Sequence, residues 1–350
     1  MKKLFYFSTL FFASFFLFVA CSKKEDIPEG SIDEYYFVKT DGAVLPVRIT
    51  GKENSFGYLI MTHGGPGGTA QLFRNSIGVH DLEKDFTLVY WDQRGSGFTQ
   101  GNSSLEDYNI EQFNKDLDAI VEFVKQVKKS DNIFLLGHSW GGGLTSYYLS
   151  NPTDGLAHQA KVKGFVMDAG AYSIVGAMQQ SVLNMKAYAA EQTAANKDKQ
   201  YWKGFDDFIT QNPKITADKF IDYTKYVNKA KGVFFAKYET YDGSLPDYES
   251  DAFIKNFTQG IENTKIGGKN VFDEMDLTPW LPTISIPTLI IWGQNDRLVP
   301  MTLAQPFYNA ISTPANKKSI RTYSNCGHEP QTEAPTSFTA DVKKFILDNQ

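Results

Sequence analysis

Ile133-Phe134-Leu135-Leu136-Gly137-His138-Ser139-Trp140-Gly141-Gly142-Gly143 is the stretch that decides how this chain reads. A short apolar run of strand character feeds Gly-x-Ser-x-Gly, and the helical pattern Leu144–Ser150 follows at once. Strand, sharp turn and helix in that order form the setting in which a serine is lifted above a sheet edge as a nucleophile. The turn forces the serine into a strained backbone, and Gly137 and Gly141 leave space where neighbouring chain must pass. A Gly-rich connection without chemistry carries the same short pattern, so the flanking strand and helix are what distinguish this one.

A serine hydroxyl is a weak nucleophile until a base takes its proton, which demands an acid and then a histidine further along the chain. After the apolar run Pro287–Trp292 comes Gly293-Gln294-Asn295-Asp296-Arg297-Leu298-Val299-Pro300, placing Asp296 on the loop at a strand's end as the acid. After Ser319–Tyr323 comes Ser324-Asn325-Cys326-Gly327-His328-Glu329-Pro330, placing His328 at the equivalent edge as the base. Asp168, at the end of another strand-like run, is the competing acid. Acyl transfer also needs preorganised donors for the developing oxyanion. The run Tyr58–Thr62 leads into His63-Gly64-Gly65-Pro66-Gly67-Gly68, and the backbone N–H groups of Gly65 and Trp140 are the candidate donors, with Gly64 as a substitute for Gly65. The P-loop lysine and the Gly-x-Gly-x-x-Gly spacing that would make this a phosphate cradle are both missing.

Outward from these motifs, strand-like runs alternate with helical patterns, which argues for an α/β fold with a mostly parallel sheet covered on both faces. Tyr35–Lys39 and Val44–Ile49 flank Asp41-Gly42 as an opening hairpin. Tyr58–Thr62, Phe86–Trp91, Ile133–Leu136, Val162–Met167, Pro287–Trp292 and Ser319–Tyr323 read as six buried strands. Phe113, Leu117, Ile120, Val121, Val124 and Val127 recur at helical spacing and form a stripe for the sheet. Between about 171 and 282 the rhythm changes to helical periodicity rich in Lys, Asp and Tyr, so this segment is expected as a helical insertion over the sheet edge.

The chain has 350 residues, 42% hydrophobic and 21% charged, proportions of an ordinary globular protein with a sizeable core. Its net charge of −5, with no block of Lys or Arg, excludes a run of phosphate contacts and argues against nucleic acid as a partner. Five histidines stand without zinc-ligand spacing, so no metal is expected, and the motifs imply no organic cofactor. Lys2-Lys3 precedes an almost unbroken apolar run, Leu4–Ala20, which reads as an export signal over 1–20. The run ends Leu17-Phe18-Val19-Ala20-Cys21 and resembles a bacterial lipoprotein signal, which implies lipid on Cys21, a tether over 21–34 and a place in the cell envelope outside the cytoplasm. An uncleaved anchor helix is the alternative for the same run.

His63-Gly64-Gly65-Pro66-Gly67, Asp92-Gln93-Arg94-Gly95-Ser96-Gly97 and Gly137-His138-Ser139-Trp140-Gly141-Gly142 together resemble the three signatures of proline iminopeptidases in the α/β-hydrolase fold. The resemblance spans essentially the whole mature chain. It implies a core over 35–170 and 283–350, a helical cap over 171–282, and a serine peptidase that releases an N-terminal residue, often proline, from short peptides. It also implies structural roles for Asp92 and Arg94, bracing the site, and cap glutamates that pair with the substrate ammonium, for which Glu239 and Glu262 are the candidates by position. Members of that family commonly have Gly in place of His138 and Ser in place of Gly142, a departure that fits a broader aminopeptidase or hydrolase branch. A carboxylesterase or other small-molecule hydrolase with the same triad is the nearest alternative reading, and a noncatalytic envelope-binding protein is the alternative of another class.

Overall fold

Residues 29–53, 55–235 and 251–350 are described by the computed structural model. The leader 1–20, Cys21 and the first part of the tether lie outside the described residues, as does Glu239.

Eight strands carry the architecture: β1 (Ser31–Thr40), β2 (Ala43–Lys52), β3 (Tyr58–Thr62), β4 (Thr87–Trp91), β5 (Ile133–His138), β6 (Gly164–Asp168), β7 (Thr288–Gly293) and β8 (Lys318–Tyr323). They lie in the order β1-β2-β4-β3-β5-β6-β7-β8. The first two pairings, β1 with β2 and β2 with β4, are antiparallel, and every later one is parallel. This is the mostly parallel α/β sheet that the alternation of patterns implies.

The side-chain period of two divides the strand residues between two cores. In β5, Ile133 and Leu135 face one cluster while Phe134 and Leu136 face the other. The first face is covered by α1 (Ile110–Val127), whose Phe113, Leu117, Ile120, Val121 and Val124 are fully buried. Asn109 starts that helix, its side chain accepting from the Gln112 amide at 2.8 Å. The helix α2 (Trp140–Ser150) follows the serine on the same face, and every one of its residues is buried. The second face is covered by the C-terminal helix Pro335–Asp348 through Phe338, Val342, Phe345 and Ile346.

Between β6 and β7 run α3 (Ile174–Ala194), α4 (Lys199–Gln211), α5 (Ala217–Lys229) and α6 (Asp251–Asn263). Trp202, Phe205 and Ile209 of α4 and Phe220, Tyr223 and Val227 of α5 recur at three- and four-residue spacing, so each helix buries one stripe and exposes the other. The Tyr223 hydroxyl meets Ser181 Oγ of α3 at 2.6 Å.

Two expectations need correction. The tether boundary at 34 is too late, because Ser31–Glu34 already belong to β1 and pair in register with Ile49–Lys52, the hairpin extending further than its apolar residues show. The run Ser319–Tyr323 is a strand but not a buried one. It forms the edge of the sheet beside β7, and of its residues only Tyr323 is buried.

Candidate active site

The parallel strands deliver their loops to one edge, the usual location of ligand sites in such sheets. Ser139 follows β5 directly and adopts φ 54° and ψ −124°, a backbone that a residue with a Cβ rarely takes. Its amide donates to the Asp168 carbonyl at 3.0 Å and its carbonyl accepts from the Ala171 amide at 2.8 Å, so the end of β6 pins the turn. The following turn crosses β3 so closely that a Cβ on Gly141 would stand 2.0 Å from the Thr62 carbonyl oxygen. Only glycine fits there. Ser139 itself stays partly exposed.

The loop after β3 lies against the serine: a Cβ on Gly64 would come within 3.2 Å of Ser139 Cβ. Gly65 takes φ 135° and is joined to Pro66 by a cis peptide bond, and the Trp140 amide sits in the first turn of α2, where no intrahelical acceptor is available. Gln93 fastens this loop. Its side-chain nitrogen donates to the His63 carbonyl at 2.8 Å, its amide donates to His63 Nε2 at 3.1 Å, and its Oε1 accepts from Trp140 Nε1 at 2.8 Å. Burial holds the His63 imidazole below its ordinary value against the opposing pull of Asp92, which suits a neutral ring that accepts at Nε2 and donates from Nδ1 to the Gly64 carbonyl. Asp92 accepts from Thr69 Oγ1, the Ala70 amide and the Phe98 amide at 2.8–2.9 Å. Arg94 forms a fully buried pair with Asp116, Nε to Oδ2 at 2.6 Å.

On the far side of the serine, His328 Nδ1 meets Asp296 Oδ2 at 2.7 Å, and both side chains are buried. The other Asp296 oxygen accepts from the Leu298 and Val299 amides at 2.9 Å each, which orients the carboxylate. The His328 amide donates to the Val233 carbonyl at 2.7 Å, and the Glu333 carboxylate accepts from the Gly327 and Phe235 amides. With Nδ1 donating to Asp296, Nε2 is the accepting nitrogen; it is buried and has no hydrogen-bond partner among the described residues, Ser139 Oγ included. A base–nucleophile hydrogen bond commonly tightens only when substrate is present.

A family model described as alpha/beta hydrolase fold matches residues 57–335. The chain belongs to the α/β-hydrolase fold family. Among curated relatives of this α/β hydrolase, the proline iminopeptidase of Saccharolobus solfataricus is 26% identical over 332 residues, covering 89% of this chain and 96% of that protein. A Bacillus subtilis protein named "Probable aminopeptidase YbaC" is 24% identical over 293 residues, covering 82% and 87%. The solved structure of the Mycobacterium smegmatis proline iminopeptidase superposes with a TM-score of 0.61 at 18% identity, over 90% of this chain and 98% of that one, a likeness of fold.

Of the two candidate acids in this hydrolase, Asp296 faces His328 while Asp168 is bonded to a different imidazole. Asp168 Oδ2 lies 3.1 Å from His138 Nδ1, and Oδ1 is buried without a partner. The second His138 nitrogen, Nε2, lies 3.4 Å from Glu329 Oε1. Gln93, His138 and Glu329 hold places in the site that no sequence motif assigns them. Gln93 sits inside a quoted motif and His138 replaces a common Gly, but nothing local tells that Glu329 folds back onto the residue before the serine.

Glu262 lies on the exposed surface of α6 and its side chain meets no site residue among those described. The helix itself is close: a Cβ on Gly260 would stand 2.6 Å from Pro66, so α6 packs on the loop after β3.

Proposed function

We propose that this chain is a serine hydrolase acting as an aminopeptidase on short peptides, releasing N-terminal proline or another residue. Ser139 attacks the carbonyl, His328 takes its proton through Nε2 and returns it to the leaving amine, and Asp296 holds the tautomer and stabilises the imidazolium. The N–H groups of Gly65 and Trp140 receive the oxyanion, and water then hydrolyses the acyl-enzyme. The observation that carries the chemistry is the 2.7 Å Asp296–His328 pair beside a serine in a strained turn. The peptidase assignment rests on the names of relatives aligned over most of both chains. Helices α3–α6 act as a cap that limits substrate length, and the substrate ammonium needs a carboxylate partner because burying that charge unpaired is costly; Glu239 is the candidate by position, since Glu262 faces outward on α6. The N-terminal pattern supports a location in the envelope, with lipid on Cys21.

The test is hydrolysis of proline and other aminoacyl anilides, their N-blocked forms and short-chain esters, with Ser139→Ala as control. Cleavage of unblocked anilides that is lost on N-blocking and in Ser139→Ala is the expected result. Ester cleavage alone replaces the peptidase reading by a small-molecule esterase, and activity retained in Ser139→Ala removes the nucleophile.

A further inference from the structure

Against the proposed base lies a second imidazole that the triad does not use. The rings of His138 and His328 are 4.9 Å apart between centroids and inclined at 45°. Both His138 nitrogens are committed to carboxylates, Nδ1 to Asp168 at 3.1 Å and Nε2 to Glu329 at 3.4 Å. A neutral imidazole donates from one nitrogen only, whereas an imidazolium donates from both. Two carboxylates on opposite edges of one ring therefore select the cation.

We propose that His138 is a positioning residue for the base: clamped as a cation between Asp168 and Glu329 with its ring against His328, it opposes proton uptake by His328 and keeps that imidazole in its accepting form as pH falls. The inference rests on the reading of His328 as the general base.

The surroundings support a fixed charge at this position. Burial alone would discharge the His138 ring, yet Glu329 and Asp168 outweigh it and hold the group well above its ordinary value. Burial tends to raise the Glu329 carboxyl, but His138 holds it below its usual range, and the Asp168 carboxyl, raised by burial, is pulled back by the same imidazolium. Among the described residues, the other titratable groups on the neighbouring elements add no second cation. From the loop after β3 comes His63, a neutral ring by its hydrogen bonds. From the short helix Ala70–Arg74 comes Phe73, ring to ring at 5.6 Å, while Arg74 is turned to Glu83 at 3.7 Å. From the loop after β8, the Cys326 thiol is pushed up by burial and stays uncharged, and Glu333 is engaged by backbone amides. Tyr323 is bonded to Asp341, and Asp296 to His328 itself.

His138 is thus the positive charge set against three carboxylates, Asp168, Glu329 and Asp296. Without it, those carboxylates favour a proton on His328, and a protonated base cannot accept from Ser139. His138 does not relay protons, because neither of its nitrogens is free to reach His328. Its influence is charge and contact alone.

The experiment compares wild type, His138→Gln and Glu329→Gln by two readouts: the acid limb of kcat/KM on whichever anilide or ester is turned over, and imidazole NMR titration of His328, which needs no turnover. In His138→Gln both midpoints should rise by about one pH unit or more. In Glu329→Gln, where Asp168 still holds the cation, both should fall. A merely structural role lowers activity without displacing the midpoints in opposite directions. Midpoints unmoved in both variants, or moved in the same direction, overturn the inference. Glu329 is partly exposed, with 23% of its side chain accessible, and its replacement reads that carboxylate's own charge; should His138→Gln fail to fold, imidazole NMR titration of His138 in wild type carries the test, since a His138 that loses its proton together with or before His328 overturns the inference. If no substrate is turned over, the hydrolase reading fails on its own count, while the NMR titration still decides the charge effect.

Discussion

Replacing Asp116 by Ala tests the bracing of the oxyanion loop from a distance. Arg94 lies in the Asp92–Gly97 segment, next to the Gln93 that ties His63 to Trp140, and it is anchored from behind by Asp116 of α1. Two charge-assisted bonds join them, Nε to Oδ2 at 2.6 Å and Nη2 to Oδ1 at 2.8 Å, with neither side chain exposed. What would remain for the guanidinium are the Asp41 carbonyl at 3.0 Å and Ser103 Oγ at 3.4 Å, neither of them charged. Leaving one member of such a pair buried and alone costs about 3–5 kcal/mol, a large share of the roughly 5–15 kcal/mol that separates folded from unfolded chains. At about 1.5 °C per kcal/mol for a chain of this length, the melting temperature should fall by roughly 4–8 °C.

The loss is one of an uncompensated charge more than of an attractive contact, so removing both charges should restore much of the stability. The double variant Arg94→Met with Asp116→Leu fills comparable volume with apolar atoms, and such exchanges are commonly neutral or stabilising. Thermal unfolding of wild type, single and double variants, with kcat measured alongside, separates the two accounts. A fall in melting temperature under about 2 °C in Asp116→Ala, or a double variant no more stable than the single, refutes the reasoning.

Asp296→Asn keeps an oxygen for the Leu298 and Val299 amides but turns an NH2 group toward His328 Nδ1, which forces the proton onto Nε2 and removes the acceptor for the Ser139 proton. Turnover should fall by about 10³–10⁴-fold with little change in melting temperature, and a variant with ordinary turnover would discard Asp296 as the orienting acid. For the proposed lipid anchor, fractionation of cells expressing Cys21→Ser should move the protein from membrane to soluble fractions, and unchanged partitioning would remove Cys21 from that role.

How much of this was legible in the chain follows from the range of each signal. The elbow is local: Gly137, Ser139 and Gly141 lie within five residues, and the steric demand that selects them acts inside one turn and against one neighbouring strand. The central strands were legible because, buried on both faces, they are short unbroken apolar runs, and the family signatures carried the loop after β3. Which acid meets which imidazole was not local. Asp168 and Asp296 both stand at the ends of parallel strands, and a sequence pattern tells that a side chain reaches the sheet edge without telling which way the loop turns it. The difference lies in the backbone that follows. Asp168 is the last residue of β6, held in ladder register with His138 of β5, so its carboxylate is delivered to that neighbour. Asp296 stands three residues beyond β7, on a loop that turns back to give its carboxylate two amides and carries it to His328. The same rule explains Glu329, which inherits its place from His328 and reaches His138 only because β8 ends at the sheet edge and its loop folds inward. Carboxylates and imidazoles that share one end of a parallel sheet are therefore sorted by register and loop length, and the sorting gives His328 its acid and His138 its two.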